Sequence, residues 1–230
     1  MNTFLSDFTD AQTKTIQLLR KCISLLEEGM SVNTITQLIL AEAQNYGFTG
    51  WVRPPLVQIR NVEKNTTTLQ KGSHLQIHLQ PATSTAFGSS GTTLSFKQDE
   101  APIVAKAKEL CKAICIYANS RKCIGELFVF ARSWSNNHRG QLTNDQNIGH
   151  ICLPPSSLTK YGWPKSVRLV TAFRRNQVQW YNPRPTLGIY AIHPFITINN
   201  EQAGFAEMVA IDEDNRHVLG RENVEDIGTF

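Results

Sequence analysis

The chain has no C-x-x-C pair, no lysine or arginine run, no low-complexity tract and no apolar stretch of membrane-spanning length. Each absence removes a class of function. The five cysteines, Cys22, Cys111, Cys115, Cys123 and Cys152, are odd in number and unpaired in spacing, which fits reduced thiols rather than a disulfide framework or a cysteine zinc site. The net charge of +4 is dispersed, so there is no electrostatic footprint of a dedicated nucleic-acid binder. The start, MNTFLSDFTDAQTK, lacks the basic residues and apolar core of a signal peptide. The expectation is a cytoplasmic protein with neither membrane nor nucleic acid as partner. At 230 residues the chain can bury a large core, and no linker divides it, so residues 1–230 read as one domain with its core over 8–215.

What is present is a run of helical periodicity followed by strand alternation. Between Asp10 and Glu28, Ile16, Leu19, Cys22, Ile23 and Leu26 follow helical spacing, with Thr9 or Asp10 placed to cap the first turn. Ser31–Tyr46 repeats the pattern through Ile35, Leu38, Ile39 and Ala43 and stops at Gly47, so the two helices form a hairpin. Strand character appears at Pro55–Arg60 and at Ser73–Gln80, where Leu75, Ile77 and Leu79 alternate with His74, Gln76, His78 and Gln80. His78 therefore faces away from the apolar side. Thr92–Phe96 reads as the returning strand of a hairpin with a polar face. Two more helices are expected at Ala101–Ala118 and Gly125–Trp134, with Cys111 and Cys115 in the core, and then strands at 167–174, 178–181, 187–198 and 205–211. Helices first and antiparallel strands later predict an α+β fold.

In order, "EEGMSVNTITQLI", "LQKGSHLQIHLQP", "GTTLSF", "NIGH", "GIYAIHPFITI" and "GFAEMVAI" resemble the catalytic domain of the creatinase, prolidase and methionine aminopeptidase family. The resemblance runs from about Phe8 onward, without the extra N-terminal domain of prolidases and creatinases. It implies the pita-bread fold, a curved antiparallel sheet covered by two helix pairs. It also implies a metal site, because that family holds two metal ions on two aspartates, a histidine and two glutamates. Matched position by position, the first aspartate falls on His78, the second on Gly91 or within two residues of it, the histidine on His150, and the glutamates on His193 and Glu207. Two ligand positions are kept in kind and two have become histidine.

These departures argue against a two-metal centre, which needs bridging carboxylates to give each ion a separate oxygen and to offset four positive charges. The resemblance instead implies one divalent ion on His150, His193 and Glu207, with His78 as a fourth ligand or a catalytic base. Two imidazoles and one carboxylate form the set of non-haem iron oxygenases, so Fe(II) is favoured, with Mn and Zn also fitting. The first expectation is thus a mononuclear metalloenzyme, an oxidase or oxygenase acting on a small-molecule substrate. A metal-free binding module for peptide or protein, and a single-metal hydrolase or lyase, are the alternatives. Ordinary peptidase chemistry is disfavoured, since CLPPSSLTKYG follows His150 where the aminopeptidases carry a further histidine. Each residue also has a plainer reading: His78 and His193 as solvated or hydrogen-bonded strand histidines, Glu207 as an exposed glutamate paired across the DEDN turn. The added hairpin over 165–185, with Arg168, Arg174, Trp180 and Tyr181, reads first as packing and second as a lid over an acidic or aromatic substrate. Phe4, Phe8 and Phe230 read as packing or interface residues, which leaves a homodimer open.

Overall fold

The structure, a computed structural model, describes residues 2–60, 67–143, 148–152 and 187–221. These contain the helices α1 (Asn2–Ser24), α2 (Val32–Asn45), α3 (Pro102–Tyr117) and α4 (Ile124–Asn137). The strands are β1 (Gly50–Arg60), β2 (His74–Ala82), β3 (Ser90–Ser95), β4 (Gln141–Leu142), β5 (Gly149–Ile151), β6 (Gly188–Ile192), β7 (Phe195–Ile198), β8 (Glu201–Ile211) and β9 (Arg216–Val218). The expected strands 167–174 and 178–181, the 165–185 hairpin and Phe230 lie outside the described residues, as does the side chain of Phe4.

Local chemistry explains most boundaries. The Ser31 hydroxyl accepts from the Thr34 N–H and caps α2, and Gly47 takes the left-handed conformation (φ 77°) beyond its end. α1 begins at Asn2, ahead of the expected Asp10, and ends at Ser24 rather than Glu28. Thr9 is therefore inside the helix, where its hydroxyl donates to the Leu5 carbonyl instead of capping the first turn. The apolar stretch expected as one strand over 187–198 is broken between β6 and β7 at His193 and Pro194. Proline has no N–H for a ladder, and its carbonyl accepts from Phe205 N–H at 3.3 Å.

All strand pairings are antiparallel, in the order β1-β2-β3-β8-β6-β5, with β7 and β9 also on β8 and β4 on β7. Each helix pair covers one half of this sheet. Leu18, Leu19 and Cys22 of α1 and Ile35 and Ile39 of α2 pack with Leu75, Ile77 and Leu79 of β2. Leu110 and Ile114 of α3 and Leu127 of α4 pack with Ile192, Phe205 and Val209. A third cluster joins Phe8 and Ala11 to Phe87, Ala191, Met208 and Leu219, and the Phe8 and Phe87 rings meet edge-on at 5.3 Å. Cys111 and Cys115 are core residues, and all five cysteines are free thiols. No helix among the described residues is long and apolar enough to cross a membrane.

Candidate functional site

Side chains alternate between the two faces of a strand, and residues directly opposite on neighbouring strands share a face. Leu75, Ile77 and Leu79 are under the helices, so His78 and Gln80 look out from the other face, as their alternation predicts. On the far half of the sheet His150 pairs with Ala191 and Ala191 with Met208, whereas Gly149 pairs with Ile192 and Ile192 with Glu207. Glu207 consequently shares its face with Ile192, Phe205 and Val209, which lie under α3 and α4. His150 points the opposite way.

His150 is brought to this face by Gly149, where a Cβ would come within 2.2 Å of the Ala191 carbonyl oxygen, so only glycine lets β5 lie against β6. His193 follows the last β6 residue, and its N–H donates to the Ile148 carbonyl at 2.8 Å. Its ring turns to His150, with Nε2 3.2 Å from His150 Nδ1 and ring centroids 5.3 Å apart. The His78 ring lies 5.5 Å from that of His193, and His78 Nε2 is 3.2 Å from Ser89 Oγ, which also accepts from Gln80 Nε2 at 3.3 Å. Three of the four expected site residues are thus brought together.

The electrostatics of this cluster keep it uncharged near neutrality. Burial pushes the His78 imidazole down to about 3, helped by His193 and Arg53, and pushes His193 down to about 4, helped by Arg53. Burial, then His193, Arg53 and His78, holds His150 well below the ordinary histidine range. Among the described residues Arg53 is the cation that acts on all three rings. It pairs with Gln80 across β1 and β2, which sets it on their face, and its own pKa is lowered by partial burial.

Glu207 is in a different environment. Its side chain is fully buried, and the Arg221 side chain, 2% exposed, donates through Nε to Glu207 Oε1 at 2.8 Å and through Nη2 to the same oxygen. The other oxygen faces Gln12 Nε2 at 3.4 Å, and Gln12 also clamps the Ser89 backbone, donating to its carbonyl at 3.0 Å and accepting from its N–H at 2.7 Å. Burial raises the Glu207 pKa, Arg221 and Gln12 pull it back only in part, and it stays above the ordinary carboxylate value. The exposed, turn-paired glutamate of the plainer sequence reading is therefore not found. Neither Gln12, Arg53 nor Arg221 stood out in the sequence. Glu207 carried a signal, because alternation through Phe205, Glu207, Val209 and Ile211 sets it on an apolar face.

The fit of a metal can be tested on these residues. Gly91 is directly across from His78, and a Cβ there would meet the Ile77 carbonyl oxygen at 2.9 Å, so the backbone has closed over the position where a second carboxylate would stand. With Glu207 on the other face, a two-metal centre does not fit. Among the described residues no group of three or more His, Cys, Asp or Glu side chains is arranged to hold an ion.

The architecture matches solved structures at low identity. The X-Pro aminopeptidase of Thermotoga maritima superposes with a TM-score of 0.73 at 11% identity over 97% of this chain and 62% of that one. The methionine aminopeptidase of the same organism gives 0.70 at 11% identity over 96% and 98%, and the prolidase of Pyrococcus furiosus 0.69 at 12% over 97% and 65%. The chain spans less than two thirds of the X-Pro aminopeptidase and nearly all of the methionine aminopeptidase. No family model and no curated protein matches it by sequence. The fold is the pita-bread fold, a curled antiparallel sheet with two helix pairs, as the sequence resemblance implied. At these identities the match carries the scaffold and not the activity.

Proposed function

We propose that this chain is a metal-independent binding protein on an aminopeptidase-like scaffold, taking a small molecule or peptide on the face that bears Arg53, His78, His150 and His193. One observation carries the reading: the carboxylate of Glu207 points away from the histidines and already has the Arg221 guanidinium on it. A guanidinium held against a buried carboxylate supplies the positive charge that an ion would otherwise bring. The neutral imidazoles are left as hydrogen-bonding groups. Reduced, largely buried thiols suit a cytoplasmic location. The test is calorimetric titration of the chelator-stripped chain with Zn(II), Mn(II) and, anaerobically, Fe(II). No saturable heat is the expected result, and one-to-one uptake by the wild type contradicts it.

A second reading has its own observation, the 3.2 Å between His150 Nδ1 and His193 Nε2. That is the spacing of two nitrogens each about 2.0–2.1 Å from one tetrahedral ion. Under this reading His150 and His193 hold a single divalent ion, Fe(II) before Mn or Zn, and His78 is a further ligand or a base. Glu207 must leave Arg221 to complete the iron-oxygenase set. Such an ion supplies redox chemistry for oxidation of a small molecule, or Lewis-acid chemistry for a hydrolase or lyase. Uptake of one ion that is lost in both His150→Ala and His193→Ala is the result that favours it.

A further inference from the structure

An edge strand leaves one row of backbone N–H and C=O groups unpaired, and soluble proteins blunt such rows with proline, bulges or charged side chains. β1 ends the sheet, and among the described residues no strand pairs with its outer edge. Its two halves differ. The first half holds Pro54 and Pro55 and two breaks in register, between Trp51 and Arg53 and between Arg53 and Leu56. The second half, residues 56–60, has no proline and runs in unbroken register from Leu56 opposite His78 to Arg60 opposite His74. Arg60 is its only charge, and Arg60 Nη2 donates to the Gln202 side chain of β8, back across the sheet and away from the edge. The edge is blunted over one half and open over the other.

The open half is also self-complementary. Val57 and Ile59 lie opposite Ile77 and Leu75 and pack on the helix-covered core, while Leu56, Gln58 and Arg60 are exposed on the face that carries His78. When two copies are joined about a two-fold axis at Gln58, each Val57 meets the partner's Ile59, a β-branched pair on one face. On the other face Gln58 meets the partner's Gln58, and Leu56 meets the aliphatic stem of the partner's Arg60. No like charges are opposed. Pairing centred on a residue is satisfied whether its backbone groups point in or out, because antiparallel partners alternate between hydrogen-bonded and non-hydrogen-bonded pairs.

We infer that the chain forms a two-fold dimer by antiparallel pairing of residues 56–60 with the same segment of a second copy, which joins the two sheets into one. An isologous contact of this kind closes on itself and stops at two copies. It supplies about four to six backbone hydrogen bonds. The contact is small, so the association is weak, with a Kd of about 10–100 µM. It is independent of whether a metal is bound.

Sedimentation velocity of the full chain from about 1 to 200 µM reads the association, and a reversible shift from monomer to dimer is expected. Gln58→Lys and Gln58→Glu each put like charges opposite one another at the axis and should weaken dimerisation about three- to fivefold. An equimolar mixture of the two variants should associate at least as tightly as wild type, because the opposed charges are then unlike. Asn136→Lys, exposed on α4, should leave the association unchanged. A chain that stays monomeric through about 200 µM overturns the inference. So does dimerisation equal in wild type and both Gln58 variants, a mixture no tighter than either variant alone, or assembly that continues beyond two copies.

Discussion

Replacing Arg221 by Met keeps the aliphatic stem but leaves Glu207 buried with no guanidinium on its carboxylate. Breaking a buried pair in this way costs about 3–5 kcal/mol in general. The carboxyl can instead take a proton, which sets a ceiling. At about 1.4 kcal/mol per pH unit, neutralising a glutamate of ordinary pKa about 4.3 at pH 7 costs about 3.7 kcal/mol. For a chain of this size that lowers Tm by about 7–15 °C, taking about 2–4 °C per kcal/mol. The sign with pH is fixed as well. The folded pKa of Glu207 already lies above its ordinary value and rises further without Arg221, so the variant's folded state holds a proton the unfolded chain has lost, and its deficit relative to wild type grows as pH rises. It should shrink to about 1 kcal/mol at pH 5 by the same arithmetic. Urea denaturation of wild type and Arg221→Met at pH 5, 6 and 7 measures it, and in a Glu207→Gln background the pH dependence of the difference should vanish. A difference below about 1 kcal/mol at pH 7, or one that does not change with pH, refutes the buried pair.

Other outcomes follow from the same geometry. The three imidazoles have depressed pKa values, His193 at about 4 and His78 at about 3, so between their unfolded value near 6.5 and those values the unfolded chain binds more protons and stability falls as pH falls. For the fully buried His150 the slope is up to about 1.4 kcal/mol per pH unit, and His150→Gln should reduce it in urea midpoints taken from pH 7 to 5; an unchanged slope counts against its burial. Gly149→Ala drives a Cβ onto the Ala191 carbonyl and should cost about 1–3 kcal/mol, whereas Gly50→Ala meets no atom within 4 Å and should change stability by less than about 0.5 kcal/mol. Equal thermal shifts in the two variants contradict the β5–β6 register. Ser31→Ala removes the cap of α2 and should cost about 1 kcal/mol, and no change in Tm refutes that role.

Much of the fold was legible because it rests on local rules. Ser31 and Gly47 marked α2 to within a residue at each end, and the alternation of Leu75, Ile77 and Leu79 fixed which way His78 points. The family resemblance supplied the topology that periodicity alone lacks. The site was legible only in part. His78, His150 and His193 converge through tertiary pairing, yet matching Glu207 by position overlooked what its own neighbours imply, since a strand residue between Phe205 and Val209 points into the helix-covered core. Its partner Arg221 is a lone arginine beyond β9, brought to Glu207 by the turn after Leu219, and no spacing in the sequence announces it. Gln12 was equally hidden, being a polar residue on an otherwise apolar stripe of α1 whose amide replaces a strand partner for Ser89.

The central claim is the proposal that the pita-bread scaffold here works without a metal, with Glu207 paired to Arg221 rather than to an ion. Metal analysis by mass spectrometry on protein from metal-replete cells, purified without chelator or added metal, tests it most directly. The account predicts far less than one equivalent of any transition metal per chain, with no change in His150→Ala or His193→Ala. A near-stoichiometric metal signal that disappears in those two variants would contradict it.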